Sequence, residues 1–446
     1  MDKNKPEEIK IDDQNKWFTQ ALEMVLRRGQ SLFLTGKAGT GKTTFLKCLM
    51  TETEKKMVVL APTGVAAINA GGQTIHSFFK LSFGPLLVDD RQYAPDKIKE
   101  NFRYNKKKIT LIEELEILVI DEVSMVRADV LDILDVILKT YRNSSEPFGG
   151  VQMVLIGDVF QLPPVVKGDE WALLQNYYRS PFFFSARSFH ELLPDRVELQ
   201  KIYRQKDDDF IELLNAVRAN ELSSEALNRL NEQANIQPID GARYITLATH
   251  NTAVESINRQ KINALSGESS FYSAQIEAEF PASASPAEIS LELKVGAQVM
   301  FVKNELGNEK RYVNGTIGTV KKLEKDKIIV EVDGEDIEVE QAEWENVQYS
   351  WDEKKSGVEK KLLGTLKQFP LKLAWAITVH KSQGLTFDYV IADLSRSFSD
   401  GQVYVALSRC TQFEGLHLLE PIPAKAIRTN AYARKFMEWV TSDIYE

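Results

Sequence analysis

Ser31-Leu-Phe-Leu-Thr-Gly36-Lys37-Ala38-Gly39-Thr40-Gly41-Lys42-Thr43-Thr44-Phe-Leu-Lys-Cys48-Leu49 is the stretch from which the rest of the chain is read. Residues 31–35 are apolar and short enough for a buried strand. A glycine-rich turn follows, and from Thr43 the apolar residues recur at helical spacing. Strand, glycine turn and helix in that order let backbone amides curl around an anion at a helix N-terminus. Gly36, Ala38, Gly39, Thr40, Gly41, Lys42, Thr43 and Thr44 are therefore candidate phosphate-binding residues. Lys42 is placed to reach the β- and γ-phosphates and Thr43 to ligate Mg²⁺. Alone, the loop implies nucleotide binding and leaves a kinase, a switch and a motor equally open.

Working outward, Ile117-Leu-Val-Ile120 is a continuous apolar run, as in a parallel strand covered on both faces. It ends in Asp121-Glu122, at the strand end where open α/β sheets bind ligands. Asp121 is a candidate metal ligand, and Glu122 a candidate base for an attacking water. Val151–Ile156 reads as a third strand, closing in Gly157-Asp158-Val-Phe160-Gln161-Leu-Pro-Pro164, where Gln161 could report a γ-phosphate. Met57–Ala61 is a further strand. It leads into Pro62-Thr63-Gly64 and then Gln73-Thr-Ile-His76-Ser-Phe-Phe79. Thr63 and the Gly64 amide suit phosphates outside the nucleotide site, and His76 and Phe79 suit stacking on bases.

The order of these motifs resembles superfamily-one helicases of the type B branch, and within it the Pif (petite integration frequency) family. Glu122–Ile137 looks like the helix that separates this family from the related RecD helicases. Its apolar positions 126, 130, 131, 134, 137 and 138 give it a buried face regardless of family. The resemblance covers residues 11–420 or so, and is weakest over 80–112 and 266–370. It implies an α/β fold of two RecA-like motor domains, parallel sheets flanked by helices, with a small wedge insertion and an SH3-like β-barrel insertion.

The resemblance also carries roles to the second half. Arg204, in Leu199-Gln-Lys-Ile-Tyr-Arg204, would meet the γ-phosphate from the second domain. Thr378, His380 and Lys381, in Leu373–Thr386, would bind the nucleic-acid backbone, with Gln383 and Gly384 near the γ-phosphate. Arg409, closing Gln402-Val-Tyr404-Val-Ala-Leu-Ser408-Arg409, is the expected arginine finger. Asn251 and Asn258 are candidate sugar or phosphate contacts, and Gln14 and Gln20 compete for the adenine. Lys294–Val339 alternates and carries Asn314-Gly315 and Asp333-Gly334 turn signals, as a small barrel would.

The expected layout is a first motor domain over 1–190 with a wedge-like insertion at about 78–112. The second motor domain begins at 191–290, is interrupted by a β insertion at 291–368, and resumes at 369–446. Residues 80–110 hold few helix or strand signals, and Arg103–Lys108 reads as a wedge or a solvated basic loop. The helical pattern of 421–446 is expected to pack on the second motor domain. Expected cofactors are ATP and Mg²⁺. The resemblance implies 5′-to-3′ translocation on single-stranded DNA with unwinding of forked or 5′-tailed duplex, and makes G-quadruplexes and RNA–DNA hybrids candidate substrates. The rival is a translocase that strips proteins without separating strands.

Bulk composition sets bounds. The 446 residues exceed one hydrophobic core, and 43% hydrophobic with 27% charged residues is ordinary globular usage. Two cysteines, Cys48 and Cys410, make neither a disulfide framework nor a zinc cluster. The net charge of −9 argues weakly against nucleic acid, because a local cationic groove can sit on an acidic protein. No apolar run suits a bilayer or a secretory signal. The expectation is a monomer in the cytoplasm or nucleoid, with a nucleus left open.

Overall fold

The computed structural model describes residues 12, 15–82, 84–239, 241–282, 285–305, 311–354 and 356–442. Its first lobe is built on a six-stranded, all-parallel sheet. The strands are β1 (Leu32–Gly36), β2 (Met57–Ala61), β3 (Gln73–Thr74), β4 (Ile117–Ile120), β5 (Gln152–Ile156) and β6 (Asp195–Leu199). Their spatial order is β3-β2-β4-β5-β1-β6. β1, β4 and β5 are wholly buried, so their apolar runs have no polar alternation. Helix Lys42–Glu52 follows β1 directly, as the opening stretch requires. Helix Ala128–Arg142 buries Val130, Leu131, Leu134, Ile137 and Leu138 as its pattern demanded.

The second lobe has a four-stranded parallel sheet in the order Ala376–Thr378, Ile245–Ala248, Val390–Asp393, Leu416–Leu418. Between its strands lies a five-stranded antiparallel sheet: Gln298–Phe301, Ile317–Leu323, Ile328–Val332, Glu335–Val339 and Leu371–Leu373. Asp333 (φ 51°) and Gly334 (φ 89°) make the tight turn between its third and fourth strands. A long hairpin, Ala342–Asp352 with Gly357–Gln368, leaves this sheet and reaches the first lobe. There the Tyr349 hydroxyl accepts from the Val59 amide at 3.3 Å, and Lys360 donates to the Gly71 carbonyl at 2.5 Å. Among the described residues, no helix is long and apolar enough to cross a membrane.

Four expectations are corrected. The first sheet includes β6, so the first lobe runs past residue 190. The antiparallel sheet recruits Leu371–Leu373, beyond the expected limit of 368. Residues 80–110, where the sequence shows few helix or strand signals, carry helix Pro95–Asn101 and the start of helix Lys106–Glu114. Asn105 caps the second of them, accepting from the Lys108 amide at 2.9 Å, and Lys108 itself is buried over the Phe78 ring. Each helix is two turns long, too short for periodicity to reveal. Finally, helix Ala431–Ser442 docks on the first lobe. Phe436 stacks on Phe184 at 4.2 Å between centroids and meets Phe33 of β1 at 5.4 Å. Arg196 of β6 lies over the Trp439 ring at 4.0 Å. Periodicity told that the helix has an apolar face, but not which lobe it covers.

Candidate active site and nucleic-acid track

A cavity of about 650 Å³ opens at the carboxyl ends of β1 and β4. Its floor is the phosphate loop, Ala38 to Thr44. Gly39 has φ +80°, and a Cβ there would lie 2.5 Å from the Cβ of Arg204, so only glycine allows this approach. The Lys42 ammonium is held inside the loop by the carbonyls of Gly36 (2.6 Å) and Lys37 (3.0 Å). Burial pulls its pKa below the usual lysine range, against the opposing pull of Asp158 and Glu122. Thr43 and Thr44 present exposed side chains to the cavity.

Glu122 stands at the far wall with φ 51°, a left-handed conformation that non-glycine residues adopt rarely and that recurs at functional sites. Burial raises its pKa, while Lys42 and Arg409 pull it down. Gln383 donates to Glu122 Oε2 at 2.9 Å and to Gln161 Oε1 at 3.3 Å. Residues 261 and 222 positions apart thus converge on one point. Asp121 lies beside them, raised by burial and by Glu122, and accepts from the Glu122 amide at 3.0 Å.

Two arginines complete the wall. Arg409 is fully buried, donating to Val405 O at 2.9 Å and Ser408 Oγ at 2.9 Å. Arg204 donates to the Ser408 carbonyl at 3.1 Å. Burial first, then Arg409, pushes Arg204 down to about 9, and burial pushes Arg409 down to about 10. Two desolvated guanidiniums facing the same cavity are the complement of a polyanion. The expectation that Arg204 reaches across from the second lobe is corrected. Arg204 follows β6, and the Tyr203 amide donates to Gly39 O at 2.9 Å, which ties this segment to the phosphate loop. Of these two arginines, Arg409 comes from the second lobe.

The donor set fits a nucleoside triphosphate: loop amides, Lys42, Arg204 and Arg409 for the phosphates. For a hard divalent cation, the oxygens on hand are the Thr43 hydroxyl and the Asp121 carboxylate. Among the described residues no cluster of three or more His, Cys, Asp or Glu could hold a metal unaided. Such a cation would be shared with phosphate oxygens. Gly384, with φ +81°, lines the cavity beside Thr386. At the opposite end stand Asp12, Asn15, Phe18 and Tyr203. Asn15 donates to the Tyr203 hydroxyl at 3.2 Å, and that hydroxyl donates to Asp12 at 2.9 Å. Gln20 is exposed on helix Lys16–Leu26 and does not line the cavity, and Gln14 lies outside the described residues. Sequence reading missed Asn15 and Tyr203. The available signal was an aromatic directly before Arg204.

The expected nucleic-acid residues divide between two further cavities. Pro62, Gly64 and His76 line one of about 300 Å³, roofed by Phe280, Pro281 and, from the long hairpin, Glu345–Val347. Thr63 is exposed beside it, its hydroxyl accepting from the Ala66 amide at 3.2 Å while its own proton remains able to donate. Phe79 is a correction: it is fully buried with its ring edge-on to Phe78, so it packs in the core and not on a base. Lys381 and Asn251 line a cavity of about 800 Å³ in the second lobe. Thr378 is buried and accepts from the Lys381 amide at 3.4 Å, which makes it a support for that turn. Burial lowers the pKa of half-buried His380, which favours the neutral imidazole. Asn258 is also corrected: both its amide atoms bond the Ala376 backbone at 2.9 Å.

Fold and site together define a two-lobed P-loop protein whose nucleotide cavity is walled by both lobes, with further cavities alongside. A family model described as PIF1-like helicase matches residues 10–227, and one described as UvrD-like helicase C-terminal domain matches 373–412. The chain belongs to the PIF1-like helicase family. The ATP-dependent DNA helicase PIF1 of Danio rerio is 37% identical over 90% of this chain, and the chain spans 60% of that protein's length. Pif1 from Bacteroides sp. in complex with ADP-AlF4 is 40% identical with a TM-score of 0.89, covering 97% of this chain and 98% of its own. Bacteroides Pif1 bound to single-stranded DNA, also 40% identical and covering 98% of both chains, superposes with a TM-score of 0.68.

Proposed function

We propose that the chain is an ATP-dependent DNA helicase that translocates 5′-to-3′ on single-stranded DNA and unwinds forked or 5′-tailed duplex. The observation that carries the reading is the convergence of Glu122, Gln161 and Gln383 opposite the phosphate loop, between two desolvated arginines. Glu122 orients and deprotonates the attacking water. Its raised pKa makes it a better proton acceptor than a solvated carboxylate. Gln161 and Gln383 sense the γ-phosphate from the two lobes. Arg204 and Arg409 stabilise charge as it develops on the transferred group. Mg²⁺, held by Thr43 and Asp121, would neutralise the β- and γ-phosphate oxygens. Tyr203 offers its ring to the base, with Asn15 at the edge.

Lys381, His380, Asn251, Thr63, Gly64 and His76 form the track for the strand, contacting mainly its backbone. Binding should therefore be sequence-tolerant and salt-sensitive. Polarity, action on G-quadruplexes and RNA–DNA hybrids, and a monomeric state rest on family likeness. Support for the DNA partner comes from the Bacteroides protein described as bound to single-stranded DNA. The test is strand separation of a 5′-tailed duplex with ATP and Mg²⁺, against a 3′-tailed duplex of the same sequence. Separation of the 5′-tailed substrate alone is expected. Equal separation of both would remove the polarity. DNA-stimulated hydrolysis with no separation of either would leave only a translocase.

A further inference from the structure

We infer that Tyr404 is a positioning residue that keeps the phosphate loop, the Gln161 loop and Arg409 in one register through a buried clasp between the lobes. The inference rests on the ATPase reading above and goes one residue deeper into the same site.

Tyr404 lies on helix Gln402–Leu407 of the second lobe, five residues before Arg409, and is buried. Its hydroxyl accepts from the Ala38 amide of the phosphate loop at 3.0 Å. The same hydroxyl donates to Asp158 Oδ2 at 3.5 Å. A phenol has one proton, so accepting from the loop and donating to the carboxylate uses it fully. Burial and the Asp158 charge push the hydroxyl up to about 12, so the proton stays in place at any working pH.

Asp158 is anchored from the second lobe by Arg218, at 3.0 Å, and Arg218 also lies 3.8 Å from Glu198. Burial would raise the Asp158 pKa, but Arg218 and Lys42 outweigh it and hold the carboxylate charged. The Asp158 carbonyl accepts from the Gln161 amide at 2.9 Å. At the other end of the Tyr404 helix, Arg409 bonds Val405 O, and Ser408 O receives both Arg204 and Gln205 at 3.1 Å. Gly401 opens this helix with φ +71°, and a Cβ there would lie 2.4 Å from Gln161 O. One hydroxyl thus touches the loop that grips phosphate and the carboxylate that sets the sensor, from the helix that carries the finger. The contacts of Tyr404 with Ala38 and Asp158, and of Arg218 with Asp158, each join groups of different lobes, so separating the lobes by a few ångströms breaks them together and strands a charge.

Tyr404→Phe keeps the ring and deletes the hydroxyl. DNA-stimulated kcat should fall about tenfold, which corresponds to ~1.4 kcal/mol, while KM for ATP stays within about twofold and the thermal midpoint barely moves. In combination with Arg409→Ala it should cost nothing more than Arg409→Ala alone, because the two act as a unit. Asp158→Asn, which loosens the clasp from the first lobe, should give the same split between kcat and KM. An unchanged kcat in Tyr404→Phe, penalties that multiply in the double variant, or a loss of thermal stability that accounts for the lost rate would each overturn the inference. Wild-type protein without ATP hydrolysis would instead overturn the underlying reading.

Discussion

Lys42 is the cation at the centre of the phosphate loop, and its ammonium is held against two loop carbonyls. Lys42→Ala should abolish ATP hydrolysis and unwinding while leaving the single-strand Kd within about threefold, since the track lies in other cavities. Fluorescence anisotropy with a labelled oligonucleotide reads the second half of that statement. Glu122→Gln should retain ATP binding and slow turnover by ~10²–10⁴, the range for a lost general base. A rate loss of less than about tenfold would assign the base elsewhere. The residues legible in sequence were those in contiguous motifs: the loop, Asp121-Glu122, Gln161 and Gln383-Gly384. Tyr404 was not, although it sits inside a recognised motif. Its partner Ala38 is 366 positions away, and no local pattern marks a phenol that must accept a loop amide. Phe79 failed differently. Two adjacent phenylalanines on a five-residue helix give no period by which to tell the core face from the open one.

At the scale of elements, helix Gln402–Leu407 and the Gln161 loop approach so closely that Gly401 has no room for a side chain. Gly401→Ala combines strain at a positive φ with a clash on the Phe160 and Gln161 carbonyls. It should lower kcat for ATP by at least about tenfold, through displacement of Gln161. A variant with wild-type turnover would mean that the loop can give way without consequence. Helix Ala431–Ser442 tests a different element. Phe436 packs among Phe33, Phe183, Phe184 and Phe189, and Phe33 belongs to the strand that feeds the phosphate loop. Phe436→Ala should destabilise the first lobe by about 3–5 kcal/mol in chemical denaturation. A loss below about 1 kcal/mol would show that the helix merely rests on the surface. Long apolar strands were readable because burial on both faces leaves runs such as Ile117–Ile120. The docking partner of a terminal amphipathic helix was not, because its period fixes a face and no address.

The whole molecule is a cleft between two parallel-sheet lobes. The phosphate loop, Glu122 and Arg204 belong to the first lobe and its exit, and Gln383, Tyr404 and Arg409 to the second. The residues proposed for the track divide the same way, Gly64 and His76 on one side and Asn251 and Lys381 on the other. If a strand bound across both lobes changes the alignment of the nucleotide site, reciprocity requires that nucleotide change the grip on the strand. Strand affinity should also fall steeply with salt, since its contacts are to phosphates. Steady-state ATP hydrolysis with Mg²⁺, measured with and without single-stranded DNA, tests this account most directly. kcat should rise steeply on adding the strand, and Arg409→Ala should abolish that rise. Hydrolysis at the same rate with and without DNA would contradict it.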